Sequence, residues 1–293
     1  LKGDWFLPQD KNTRLSGEVT YSPSEGIYLE LIGDFNMNPL GMGELNYQTI
    51  WGIVEGSREL SLFGCSFIGR HSVSLVKGSE IAKPIINYSV NWMTEGCYFE
   101  SYKDVVAKNV YIEYDGLPSW LCVSGFKFDD VKVDQEAHTI DVHYKLPDPI
   151  RFEFPKGIEA TFNFISSSNS DSIVRTSVDI QQKVCLLLKN EKGFSLDDVF
   201  SISYRFQTFL MLAMKGETYI RSIRLINPDY AVDLGNGTPY VRPVGLYYHQ
   251  HFTIKEANWD FRYMLFNYPS VEASFQQVLL RWDEIFAEFC MGK

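Results

Sequence analysis

Three features are scarce or missing in this sequence of 293 residues, and each one excludes a class of protein. No apolar run approaches the roughly 18 to 20 residues that a membrane-spanning helix needs, so we expect no membrane partner. The five cysteines form no C-x-x-C pair and their number is odd, which argues against a zinc site or a disulfide framework. Scattered thiols are typical of a reducing compartment, and we expect a cytoplasmic protein without a cofactor.

Basic residues are also too few for a general nucleic-acid binder. The chain holds 27 Lys and Arg against 37 Asp and Glu, a formal net charge of −10. Residues 1–150 hold 12 basic and 21 acidic residues, whereas residues 151–293 hold 15 and 16. Binding to phosphate backbones needs a basic excess. The sequence therefore disfavours nucleic acid as a partner of this chain alone.

What the sequence does contain is a series of short runs in which every second residue is hydrophobic. The stretch GDWFLPQDKNTRLSGEVTYSPSEGIYLELIGDF places an aromatic cluster before a hairpin whose turn is Ser-Pro-Ser-Glu-Gly. Further runs separated by turn residues predict antiparallel sheets, as in a sandwich or barrel. These predicted strands are 17–21, 27–31, 50–54, 60–67, 85–92, 105–114, 121–128, 139–146, 151–154, 159–165, 177–188, 219–226 and 240–252.

Two segments favour helices. Ser195-x-x-Asp198 is a capping-box pattern before a broad apolar face, and Gly216 suits the C′ position that ends such a helix. After Pro269, hydrophobic residues recur at spacings of three and four, which predicts a second helix over about 270–290. The members of this stripe are Val271, Phe275, Val278, Trp282, Ile285 and Phe289.

The fold class predicted by these patterns is α+β. It is mainly antiparallel β with sandwich-like sheets, one long packed helix and a C-terminal helix. Two prolines in Leu146-Pro-Asp-Pro149 interrupt regular pairing, so we place a boundary there. The predicted organisation is an antiparallel β subdomain at 1–148, a second β subdomain at 149–255 with its helix at 195–215, and a helical segment at 256–293. Because the chain begins with Leu and its last helix has no clear stop, we expect a longer protein.

No residue set in the sequence predicts catalysis, cofactor binding or a metal site. His249-Gln-His251 places two imidazoles on one face of a strand, but no third ligand follows at a suitable spacing. Arg242 and His249 match an R-x6-H pattern, yet Pro243 and Gly245 oppose the helix in which that pattern acts. The residues that we predict for a recognition surface are Trp5, Phe6, Tyr247, Tyr248, Arg221 and Arg224.

The opening stretch resembles the N-terminal domain of ApeA-type anti-phage HEPN proteins. The matching residues are Gly3, Trp5, Leu7, Pro8, Gly17, Gly26, Leu29, Glu30, Leu31 and Gly33. Later, Leu117-Pro-Ser-Trp120 resembles an L-x-x-W element of that family. Met264-Leu-Phe and Val278-Leu-Leu-Arg-Trp282 resemble its link to the HEPN domain. These motifs are structural, so no catalytic residue is carried over from the family.

The resemblance implies a non-catalytic sensing or regulatory module in bacterial abortive infection. A C-terminal HEPN domain of the same protein would cleave RNA, a phage-derived trigger would be the partner, and a homodimer would form through that domain. Val278, Trp282 and Ile285 would then form the junction between the two domains. The alternatives that the residues leave open are a carbohydrate-active enzyme and a carbohydrate- or RNA-binding β-sandwich module.

Overall fold

The computed structural model describes residues 1–35, 46–72, 84–134, 139–168, 179–233, 237, 239–250 and 264–291. The chain divides into two compact units, each assembled from discontinuous segments. Unit 1 contains residues 1–108, 192–199 and 222–255, and unit 2 contains residues 109–191, 200–221 and 256–293. The domain limits that we place near residues 148 and 255 from the sequence stay a prediction.

The fold is mainly antiparallel β with a long helix and a C-terminal helix, which confirms the predicted class. The strands are β1 (Lys2–Leu7), β2 (Asp10–Ser22), β3 (Gly26–Ile32), β4 (Tyr47–Val54), β5 (Arg58–Ser72), β6 (Pro84–Glu95), β7 (Val106–Tyr114), β8 (Phe126–Asp134), β9 (Thr139–Tyr144), β10 (Ile150–Phe154), β11 (Ile158–Ser168), β12 (Ile180–Ser195), β13 (Ile220–Ile226), β14 (Ala231–Asp233), β15 (Pro239–Val241) and β16 (Val244–Tyr248). The helices are α1 (Leu117–Leu121), α2 (Leu196–Met214), α3 (Tyr268–Val271) and α4 (Phe275–Met291). None of the helices in the described ranges is long and apolar enough to cross a membrane.

Six strands of unit 1 close into a barrel. Their order is β6-β3-β2-β1-β4-β5, and β5 pairs back onto β6 from Leu60↔Glu95 to Ser72↔Pro84. Each neighbouring pair is antiparallel. Beyond the barrel, β16 pairs with the end of β6, and β13 pairs with β16. Closure leaves none of the six barrel strands with an unpaired edge.

Trp5, the first aromatic residue of the opening stretch, is a core residue of the barrel. It lies on β1, faces the barrel interior and is 0% exposed, so it belongs to the core. Its cross-strand partner is Gly52, where a Cβ atom would lie 2.4 Å from the indole ring, and Gly17 approaches the other side of the ring. The two glycines leave the volume that the indole fills, because any larger residue would overlap the ring.

Phe6 points to the opposite face of β1, where it packs edge-on against Trp51 and Tyr98. The Trp51 indole donates a hydrogen bond from Nε1 to the Phe99 carbonyl at 2.8 Å. Phe6 is only 3% exposed, so both aromatic residues of the opening are buried within unit 1.

Unit 2 packs helices against a sheet with the strand order β10-β11-β12-β7. Trp120 of α1 is the centre of its aromatic core, with ring centroids 5.6 to 6.0 Å from four neighbours. These neighbours are Phe162, Phe209, Tyr268 and Phe275. A small two-stranded sheet, β8 with β9, completes the described part of the unit.

The hydrophobic residues of α4 form two rows that differ in burial. Phe275 and Leu279 are buried in the core of unit 2. Val278, Trp282 and Ile285 are half-buried. The Trp282 indole donates from Nε1 to the Arg205 carbonyl at 3.0 Å, which ties α4 to α2. The role of Val278, Trp282 and Ile285 as a domain junction stays a prediction.

Three local predictions are wrong. The strand predicted at 121–128 begins only at Phe126, because Leu121 is the last residue of α1, a helix that Pro118 favours at its first turn. The strand predicted at 240–252 is interrupted between β15 and β16 at Pro243, which has no N–H for a ladder, and its last two positions lie outside the described residues. The first strand is β1 rather than the run at 17–21.

The N-terminal cap of α2 is confirmed and its C-terminal cap lies one residue earlier than predicted. Ser195 Oγ accepts from the Asp198 N–H at 3.2 Å, and Asp198 accepts from the Ser195 N–H at 3.0 Å. At the other end the left-handed residue is Lys215, with φ at 51°, and not Gly216. The N–H of Gly216 then bonds to the Met211 carbonyl at 3.1 Å, which completes a Schellman motif.

Candidate functional site

A cavity of about 440 Å³ lies at the end of the barrel where the β4–β5 turn meets the end of β6. We name it the mouth pocket, and ligand sites in barrel proteins commonly occupy such a position. Its lining residues come from the β4–β5 turn, the start of β5, the end of β6 with the glycine that follows it, β13, the link between β15 and β16, and β16 itself. They are Gly56, Ser57, Arg58, Glu59, Glu95, Gly96, Arg224, Arg242, Pro243, Gly245 and Tyr247.

Two ion pairs organise the mouth pocket. Arg58 Nη1 lies 3.0 Å from Glu95 Oε1, and its Nε donates to the Glu55 carbonyl at 3.0 Å. Arg242 Nη1 lies 3.4 Å from Glu59 Oε2 and donates to the Gly96 carbonyl at 3.0 Å. Partly exposed pairs of this kind add little stability, so their main effect here is to hold the guanidinium groups in place.

Tyr247 fixes the second oxygen of Glu95. Its hydroxyl donates to Glu95 Oε2 at 2.9 Å, and its ring packs edge-on against Tyr21. Burial, followed by the charge of Glu95, raises the pKa of Tyr247 to about 12. The phenol is therefore protonated at neutral pH and remains a hydrogen-bond donor to the carboxylate.

The structure brings together only some of the residues predicted for a recognition surface. Arg224 and Tyr247 line the mouth pocket. Tyr248, the next residue on β16, points the other way and lines a separate cavity of about 330 Å³. Arg221 is in unit 2, where it pairs with Asp115. Trp5 and Phe6 are buried, as described above.

The histidine pattern and the R-x6-H pattern give no metal or nuclease constellation in the described ranges. His249 Nε2 lies 3.0 Å from the Ser24 carbonyl, and His251 lies outside the described residues. The described residues contain no group of three or more His, Cys, Asp or Glu that could hold a metal ion. Strand β16 occupies the interval between Arg242 and His249, which confirms the extended conformation expected there.

Sequence reasoning missed Arg58, Glu59 and Glu95. Each lies at a strand end beside a glycine turn, in Glu55-Gly-Ser-Arg-Glu59 and in Glu95-Gly96. Charged residues at such positions could have been identified as rim candidates. Their convergence could not, because it depends on the pairing of β5 with β6 and of β6 with β16.

The comparisons with known proteins identify the family. The family model described as ApeA N-terminal domain 1 matches residues 1–282, nearly the whole chain. The chain therefore belongs to this family, and membership supports a role in an anti-phage defence protein. No curated protein and no solved structure matches it.

Proposed function

We propose that this ApeA N-terminal domain is a sensing or regulatory module, and that its trigger binds in the mouth pocket. In this proposal the RNA-cleaving step of abortive infection belongs to a HEPN domain of the same protein, and the defence acts in the cytoplasm. The observation that carries the proposal is the family match over residues 1–282. The mouth pocket supports it because this cavity has the size of a ligand site, and Glu59 and Glu95 hold two guanidinium groups in place along its lining.

A phage-protection assay on the complete protein tests the regulatory role. We expect Arg242→Gln to change the plating efficiency of a phage that the parent protein restricts by at least about tenfold, since one charge-assisted contact to a trigger is lost. A rise in plating, or growth arrest without phage, would each show that the pocket controls the effector. Arg70→Gln is the matched control, because Arg70 lies on barrel strand β5 outside the lining of the mouth pocket, with a side chain that is 43% exposed and pairs with Asp34. Unchanged protection by a folded Arg242→Gln protein would refute the proposal.

A second experiment tests whether RNA cleavage lies outside this chain. Purified residues 1–293 should leave total bacterial RNA intact, while the complete protein isolated after phage infection should cleave it. Gel analysis of the RNA measures both results. Cleavage by residues 1–293 that disappears in Arg242→Ala or His249→Ala would contradict the proposal, because the R-x6-H pattern would then be a nuclease site.

A further inference from the structure

The charge of the mouth pocket differs in sign from that of the unit that carries it. Unit 1 contains 13 Lys and Arg against 17 Asp and Glu, a formal net charge of −4. The pocket is lined by three arginines and two glutamates, a formal net charge of +1. Arginine side chains gathered at one site of an acidic unit favour an anionic ligand group there.

Arg242 presents the most suitable group for such an anion. Its Nη1 is engaged by Glu59 and by the Gly96 carbonyl. Within the described ranges no acceptor contacts Nε or Nη2, which together form the side edge of the guanidinium. That edge donates two parallel hydrogen bonds and fits a carboxylate or a phosphate in bidentate geometry. The ion pair with Glu59 holds the edge in position before a ligand arrives, which lowers the entropic cost of binding.

Glu59 supplies the complementary acceptor. Its Oε2 faces Arg242, whereas its Oε1 accepts no hydrogen bond from any described residue. A ligand that carries N–H groups next to its anion can therefore bond to Arg242 and Glu59 together. A peptide carboxylate has this combination, with backbone amides adjacent to the acid group. A nucleic-acid strand presents repeated negative charges instead, which the two glutamates and the acidic unit disfavour.

We infer that the mouth pocket binds a peptide through one carboxylate, which the side edge of Arg242 holds while Glu59 accepts an adjacent peptide N–H. The inference rests on the proposed function, because it assigns a chemical class to the trigger of the same pocket. The cavity volume of about 440 Å³ suits a short peptide end or a loop rather than a whole protein surface. The carboxylate can belong to a chain terminus or to an acidic side chain.

Retention of synthetic hexapeptide pools on the immobilised chain tests this inference. The first pool has free C-terminal carboxylates and no Asp or Glu, the second is amidated and contains Asp and Glu, and the third is amidated and contains neither. We expect at least one of the first two pools to be retained about tenfold more than the third, as one bidentate charged contact predicts. The retained pool identifies the source of the carboxylate. A pool of RNA hexanucleotides tests the competing ligand class, nucleic acid.

Variants of Arg242 show whether peptide retention depends on the mouth pocket. Arg242→Gln should remove the advantage of the carboxylate pools, and Arg242→Lys should restore only part of it because lysine keeps the charge without the side edge. Arg70→Gln should behave as the parent chain does. If Arg242→Gln fails to fold by circular dichroism, Arg224→Gln replaces it, with a reduced advantage expected from the lost charge. Equal retention of the neutral pool, insensitivity to these variants, or RNA retention that depends on Arg242 would overturn the inference.

The outcomes separate this inference from the proposed function. If Arg242→Gln alters phage protection while no carboxylate pool binds, the peptide class is wrong and the regulatory role stands. If carboxylate pools bind through Arg242 while protection is unchanged, the peptide site stands and the regulatory role is wrong.

Discussion

Trp5→Ala should lower the free energy of unfolding by about 3 to 5 kcal/mol, the cost of emptying a fully buried aromatic site. The indole is 0% exposed inside the barrel and lies over Gly52 and Gly17. The two residues beneath the ring are glycines, which have no side chains that could fill the space it leaves. Urea unfolding followed by circular dichroism measures the loss.

Two further variants show whether the loss comes from packing of the indole. Trp5→Phe should cost less than about half as much, because Trp5 Nε1 is buried without a hydrogen-bond partner among the described residues and its removal breaks no bond to them. Tyr28→Ala is the matched aromatic control on the same barrel, and at 46% exposure its effect should stay within about 0.5 kcal/mol. A Trp5→Ala midpoint equal to that of Tyr28→Ala would contradict the assignment of Trp5 to the core.

Gly52→Ala tests the same contact from the opposite strand. Its Cβ atom would lie 2.4 Å from the indole, so overpacking should cost about 1 to 3 kcal/mol in the parent chain. The cost should fall in the Trp5→Ala background, where the ring is absent. Additive effects of the two substitutions would show that they do not contact each other.

Trp120→Ala should also lower the free energy of unfolding by about 3 to 5 kcal/mol. We expect the destabilisation to be in unit 2, whose core contains this indole. Helix α1 has five residues, too few for intrinsic stability, so its position depends on Trp120 packing among Phe162, Phe209, Tyr268 and Phe275. Hydrogen exchange with mass spectrometry should report lost protection in α1 and in the peptides of those four residues.

Trp120→Phe and Leu212→Ala are the controls for this prediction. In the part of the chain that the structure describes, Trp120 Nε1 is buried without a hydrogen-bond partner, so the phenylalanine variant should retain most of the stability. Leu212 lies on α2 with 48% exposure, and its truncation should change stability by about 0.5 kcal/mol or less. If Trp120→Ala leaves exchange in α1 unchanged, the aromatic cluster does not hold that helix.

The sequence alone determined features that depend on neighbouring residues. Alternating hydrophobic residues predicted the β2–β3 hairpin, because each side chain must face either the core or the solvent. Ser195 and Asp198 predicted the start of α2, because a capping box is complete within four residues. The family resemblance was likewise carried by local motifs, and the match over residues 1–282 confirms it.

Only the tertiary structure decided what depends on residues distant in sequence. The burial of Trp5 required Gly52, which is 47 positions later and reaches it through the pairing of β1 with β4. The mouth pocket required Arg58, Glu95 and Arg242 to converge through closure of β5 on β6 and the addition of β16. Strand register fixes these contacts, and register is a property of paired strands, so no single run of the sequence contains it.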